Sequence, residues 1–139
     1  MSFELAKEKA VKYLVVAKKT EFEVRKKLLK SGFEEKIIEE VLEYLKKIKY
    51  IDDEDYVDAY IRQCMRLLNY SIYEIKQKLL QKGIKKCIIE KKLEILKNNG
   101  YESDLVKKLI NGKCKNMDEL KKKQYIYRRG IYIVNREDI

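Results

Sequence analysis

Proline and histidine are both missing from this chain of 139 residues, and glycine occurs only five times. With so few helix breakers, long stretches can stay helical, and an all-α fold is expected. The lack of histidine removes the commonest general base and the commonest metal ligand. Cysteine is scarce: Cys64, Cys87 and Cys114 show no CxxC spacing. An odd count without that spacing argues against a disulfide framework and against zinc. Buried, reduced thiols in a reducing cytoplasm are the expectation. No apolar run approaches the ~18 residues of a membrane span. Met1-Ser2-Phe3-Glu4 shows no basic region followed by an apolar core. Nucleophile motifs and glycine-rich phosphate loops are missing too. These absences point to a cytoplasmic protein that is not an enzyme and has neither cofactor nor metal.

Charge is what the chain has in excess. Lysine and arginine number 33 against 23 acidic residues, a net of +10. Such a surplus of one sign suits a polyanionic partner or an acidic protein surface. The plainer reading is that lysines keep helical faces solvated. Hydrophobic residues make up 45%, enough for a core if the pieces pack together.

The chain repeats itself. Shifted by 51 positions, Thr20 falls on Ser71, Phe22 on Tyr73, Val24 on Ile75, Leu28 on Leu79 and Gly32 on Gly83. The match runs on through Ile38 and Ile89, Leu42 and Leu93, to Tyr50 and Tyr101. Thirteen of the 31 pairs are identical, where chance gives roughly two. A weaker third copy follows 47 positions later, with Asp118 on Ser71, Ile126 on Leu79 and Gly130 on Gly83. Its register then slips by about one residue, and Val134 and Ile139 can serve as its last core positions.

Each copy reads as three helices. Apolar residues at helical spacing mark the first: Ala6, Ala10, Tyr13, Leu14 and Ala17, then Val57, Ile61, Cys64, Met65 and Leu68. In the third copy Leu105, Leu109 and Ile110 take this role, and Gly112 ends the helix early. The second helix starts at Thr20, Ser71 or Asp118, all good N-caps. Glu23 and Glu74 complete capping boxes. Glycine closes this helix 12 residues after the cap in every copy. Ile37, Ile38, Val41, Leu42 and Leu45, and Ile88, Ile89, Leu93 and Leu96, mark the third helix. Asp52, Asp53, Glu54 and Asp55 open the next copy. A metal site is one reading of this cluster; acids that cap free N–H groups and oppose the helix dipole are the better one. The expected architecture is all-α, with tandem three-helix repeats over residues 1–51, 52–101 and 102–139, the third short and degenerate. No repeat buries its apolar face alone, so the three should stack into an elongated, curved molecule.

Lys19-Thr20-Glu21-Phe22-Glu23-Val24, then Lys27-Leu28 and Gly32-Phe33, resembles the opening motif of the RecX family. Tyr50-Ile51-Asp52-Asp53 with Tyr56 and Tyr60 is similar to the family's Gly-Tyr-Ile-Asp-Asp stretch. Ser71 to Ile84 looks like the next motif, and Arg128-Arg129-Gly130-Ile131 like the Arg-Arg-Gly-Phe of the last repeat. Departures are Asn69-Tyr70, where the family often has glycine and a basic residue, and Lys122, where the other copies carry Val24 and Ile75. The resemblance implies a protein that lies in the helical groove of the RecA–DNA filament, spans neighbouring subunits, and restrains strand exchange, ATP turnover and repressor cleavage; a monomer is the expected state. It implies only weak or indirect contact with single- or double-stranded DNA.

Three groups of residues are candidate contacts. Arg25, Lys76 and Lys123 put a cation at the same point of the second helix in every copy, inside its apolar arc. They form either a ladder facing the filament or long side chains lying along apolar surface with their charges in solvent. The basic stretch from Leu105 onward contains Lys121, Lys122, Lys123, Arg128 and Arg129, interleaved with Tyr125 and Tyr127. Cations there can neutralise phosphates while tyrosines stack on bases; alternatively Ile126 and Tyr127 are core and the lysines merely solvated. Arg62 and Arg66, one turn apart, suit bidentate pairing with carboxylates or phosphates. The competing functional reading is a stand-alone DNA-binding protein of tandem helix-turn-helix-like units.

Overall fold

In the computed structural model, residues 2–132 are described, and among them the chain forms eight helices and no strand. Repeat 1 comprises α1 (Phe3–Val16), α2 (Glu21–Lys30) and α3 (Glu35–Lys47). Repeat 2 comprises α4 (Asp53–Leu67), α5 (Ile72–Gln81) and α6 (Lys86–Asn98). Repeat 3 contributes α7 (Tyr101–Asn111) and α8 (Glu119–Arg128). Its expected last core positions, Val134 and Ile139, lie outside the described residues.

The second helix of each repeat is set by its ends. Thr20 Oγ1 accepts from the Glu23 N–H at 3.2 Å while Glu23 Oε1 accepts from the Thr20 N–H at 3.0 Å. Ser71 and Glu74 repeat this capping box at 3.1 and 2.9 Å. Asp118 accepts from Lys121 N at 2.8 Å, but a lysine at that third position cannot reciprocate. At the other end, Gly32, Gly83 and Gly130 all have positive φ. The N–H of the residue after each glycine reaches back to Leu28, Leu79 or Ile126. This is the Schellman arrangement, and its apolar follower Phe33, Ile84 or Ile131 is buried.

Three apolar cores form, one per repeat. Val24, Leu28, Ile38, Leu42 and Leu45 close the first with Ala6 and Ala10. Ile75, Leu79, Ile89, Leu93 and Leu96 close the second with Val57 and Ile61. The third is smaller, built on Leu105, Val106, Leu109, Cys114, Ile126 and Ile131. Lys122, standing where Val24 and Ile75 are buried, is half-buried and withholds an apolar side chain from it. The accessible surface is 9312 Å², against roughly 7,600 Å² for a compact chain of this mass.

Several expectations are corrected. Ala17 is exposed, because α1 ends at Val16 and Ala17 turns extended to lead into the Thr20 cap. Tyr50 and Tyr101 align in sequence, yet Tyr50 is 56% exposed and Tyr101 4%. After Lys49 the chain runs on three residues before α4 and buries Ile51 instead, whereas α7 starts directly at Tyr101. Cys64 and Cys114 are buried thiols, but Cys87 is exposed.

Neighbouring repeats join through these caps. Thr20 Oγ1 donates to the Lys82 carbonyl at 2.7 Å, and Ser71 Oγ to the Arg129 carbonyl at 2.5 Å. Both hydroxyls are fully buried. Each serves two helices, accepting from its own and donating to the last carbonyl of the corresponding helix in the next repeat.

Candidate interaction surfaces

Arg25, Lys76 and Lys123 share a position on α2, α5 and α8. Arg25 is ion-paired to Glu39 on α3, with Glu21 3.6 Å away on its own helix. The hydrogen bond that Arg25 donates to Glu39 raises the Arg25 pKa, and the same bond lowers that of Glu39. Lys76 pairs with Glu90 on α6 at 3.2 Å. Glu39 and Glu90 are themselves 51 positions apart, so the pair is a repeated feature. Lys123 is exposed and has no carboxylate within ion-pair distance among the described residues. Two rungs of the ladder are therefore neutralised within the fold, and the third has no such partner among the described residues.

Arg62 and Arg66 are exposed on α4, with no carboxylate in ion-pair distance among the described residues. On α8, Lys121, Lys123 and Arg128 are exposed. Ile126 is buried, whereas Tyr127 is 63% exposed, its ring edge-on to Tyr132. Tyr127 is thus a surface residue and not part of the core.

Arg129 sits differently. Its Nε lies 2.9 Å from both carboxylate oxygens of Glu74, and its guanidinium also donates to the Tyr125 hydroxyl and the Asn69 carbonyl. Burial acts to lower its pKa, but the bonds to Glu74 and Tyr125 outweigh that and the net shift is upward. Glu74 belongs to the capping box of α5, so this arginine clamps repeat 3 onto repeat 2. Lys82 holds the same place in repeat 2, 3.6 Å from Glu23. Lys108 is also structural: its ammonium donates to the Leu67 and Leu68 carbonyls and to Asn69 Oδ1, all within 3.1 Å. It caps the C-terminus of α4, where a cation meets the negative end of the dipole. A lysine on α7, the first helix of the next repeat, was the only sequence signal for that contact.

The acidic cluster is used at helix starts. Asp52 accepts from Asp55 N at 3.1 Å, and Asp53 Oδ1 accepts from Glu21 N at 3.0 Å, at the head of α2.

Sequence reasoning missed a groove between repeats 1 and 2, of about 670 Å³, lined by Lys26, Lys27, Lys30 and Lys78 with Tyr13 and Tyr60. It is assembled from α1, α2, α4 and α5, residues that no local pattern brings together.

No helix among the described residues is long and apolar enough to cross a membrane. The first three-helix domain of RecX matches residues 6–45, and the second matches residues 52–93. Regulatory protein RecX of Clostridium acetobutylicum is 36% identical over 135 residues, covering 90% of this chain and 62% of that protein. The RecX of Caldanaerobacter subterraneus subsp. tengcongensis is 33% identical over 133 residues, covering 95% and 67%. Against shorter alignments, such as the RecX of Streptococcus agalactiae, the chain spans 38% of the relative's length. A crystal structure of RecX from Lactobacillus salivarius superposes with a TM-score of 0.77 at 25% identity, over 98% of this chain and 90% of that one. A second crystal structure, of regulatory protein RecX, gives 0.78 at 27% identity, over 93% and 64%. By its two matched domains, its tandem three-helix architecture and these relatives, the chain belongs to the RecX family.

Proposed function

We propose that this protein is a cytoplasmic regulator, not an enzyme, that binds the RecA–DNA filament in its helical groove and restrains recombinase, ATPase and coprotease activities. The observation that carries this reading is the similarity, over most of the chain, to proteins named regulatory protein RecX. The tandem architecture supports it, because stacked repeats offer a row of related surfaces to an extended partner. We place the repeat boundaries at residues 51/52 and 101/102, and take the protein to act as a monomer without cofactor.

Arg62, Arg66, Lys121, Lys123 and Arg128 are the free cations best suited to filament contact. Lys122 is half-buried, and Arg25, Lys76 and Arg129 are tied to Glu39, Glu90 and Glu74. Arg25, Lys76 and Arg129 support the contacts from within the fold. ATP turnover by RecA on single-stranded DNA tests the reading. Turnover should fall as the protein is titrated in, and unchanged turnover at saturating protein rejects it.

The second reading, a DNA-binding protein that needs no recombinase, is favoured by one observation: Lys26, Lys27, Lys30 and Lys78 in the groove between repeats 1 and 2 have no carboxylate within ion-pair distance among the described residues.

A further inference from the structure

We infer that the groove between repeats 1 and 2 is a binding site for a single strand of nucleic acid. Cations elsewhere on α2 and α5 are neutralised: Arg25 by Glu39, Lys76 by Glu90. Lys26, Lys27, Lys30 and Lys78 face the groove, and none has a carboxylate within ion-pair distance among the described residues. The carboxylate in the groove wall, Glu23, is already engaged by the Thr20 N–H and by Lys82. An uncompensated row of ammonium groups fits a chain of phosphates.

The same groove is lined with rings. Lys27 lies 5.3 Å from the Tyr13 ring centroid and Lys26 5.4 Å from that of Phe22. Phe22 is 40% exposed, and Tyr13 and Tyr60 are half-exposed. Cations alternating with aromatic faces are the chemistry that holds splayed bases beside a neutralised backbone. A duplex, its bases stacked inward, has no use for the rings. An acidic peptide needs only the charges.

Repetition alone did not create this site. At 51 positions on, Lys26 becomes Gln77, Lys30 becomes Gln81 and Tyr13 becomes Cys64, while only Lys27 stays lysine, as Lys78. The second junction keeps the caps and the clamp but has glutamines in place of Lys26 and Lys30 and a cysteine in place of Tyr13.

The test uses the chain alone, so it is independent of the filament reading. Binding of a labelled oligo(dT) is followed across a salt series for the wild type and for two triple variants. One carries Lys26→Gln, Lys27→Gln and Lys30→Gln; the other removes equal charge outside the groove with Lys36→Gln, Lys85→Gln and Lys91→Gln. All six lysines are exposed, and thermal melts check that both variants fold. The groove variant should bind about tenfold or more weakly near 0.1 M salt and flatten the log–log salt slope by about 2, from three lost phosphate contacts. The control should change affinity by less than about threefold. Photocrosslinks from iodouracil-substituted strands should map to Tyr13, Phe22 or Tyr60. Equal weakening in both variants, no binding to the bare strand, or crosslinks confined to α8 overturns the site. Competition by polyglutamate as effective as by oligo(dT) overturns its assignment to nucleic acid.

Discussion

The ring of Phe22 in repeat 1 lies directly on the backbone of Gly83 in repeat 2, so close that a Cβ on Gly83 would fall 2.3 Å from the Phe22 Cβ. Tyr73 meets Gly130 in the same way one repeat later, at 2.7 Å. These glycines serve two ends at once. Their positive φ closes a helix, and their bare α-carbon admits the aromatic knob of the preceding repeat. Gly100 has a similar φ of 77° but nothing within 4 Å of the would-be Cβ. Gly100→Ala should therefore cost only the left-handed penalty, about 1–2 kcal/mol. Gly83→Ala should cost that and a displaced knob besides, about 3–4 kcal/mol in total. Urea denaturation of the two variants reads the difference directly.

Ser71 and Asp118 separate capping from joining. Both accept from the third N–H of their helix, but only the serine hydroxyl also donates to another repeat. Asp118→Ala should lose a cap worth about 1 kcal/mol. Ser71→Ala should lose the cap and leave the Arg129 carbonyl short of a donor at a part-buried junction, about 2 kcal/mol together. Thr20→Ser keeps both functions and loses only a buried methyl, about 1 kcal/mol. Equal costs for Ser71→Ala and Asp118→Ala in urea melts contradict this account of the junction.

Arg128 and Arg129 are neighbours with different duties. Arg129→Ala should destabilise by about 1–3 kcal/mol, because a charged, hydrogen-bonded clamp to Glu74 and Asn69 is lost. Arg128→Ala, at an exposed position, should stay within about 0.5 kcal/mol. Glu74→Gln weakens the same clamp, so a double-mutant cycle with Arg129→Ala should show coupling. Additive effects reject the clamp.

Burial raises the Asp53 pKa above its usual 3.8, with the nearby charges of Glu21 and Asp52 adding to the rise and the Glu21 N–H opposing it. A carboxyl whose folded pKa exceeds its free value favours the folded state below that free value. The contribution is lost as pH rises through the folded pKa. Asp53→Asn keeps an oxygen for the Glu21 N–H and removes the titration. Relative to the wild type, it should gain stability as pH climbs from below 3.8, by about 1 kcal/mol or less after screening. A relative loss over that range, in thermal melts at stepped pH, contradicts it.

The local parts of this fold were legible from the residues. Thr20, Ser71 and Asp118 announce helix starts, the glycines 12 positions later announce ends, and Val24, Leu28 and Leu42 mark the core by spacing. What joins the repeats was not legible. Phe22 reads as a core residue on a helical wheel, but its partner is a glycine in the next repeat, which periodicity does not register. Arg129 reads as a free cation beside Arg128, and only the packing of α8 against α5 brings Glu74 to it. The Arg25–Glu39 and Lys76–Glu90 pairs were half legible, since the repeat places both members without saying that they touch. The groove cations were hidden among other lysines until the fold showed which had carboxylates and which did not.

The central claim is that this protein acts on a RecA filament, and the most direct test is its affinity for single-stranded DNA at physiological salt, with and without RecA assembled on the strand. Tight binding when the filament is present, with at least tenfold weaker binding to the bare strand, is the predicted result; about 1.4 kcal/mol of filament-dependent affinity corresponds to that ratio. Equal affinity for bare and filament-coated DNA contradicts the claim and leaves a DNA-binding protein in its place.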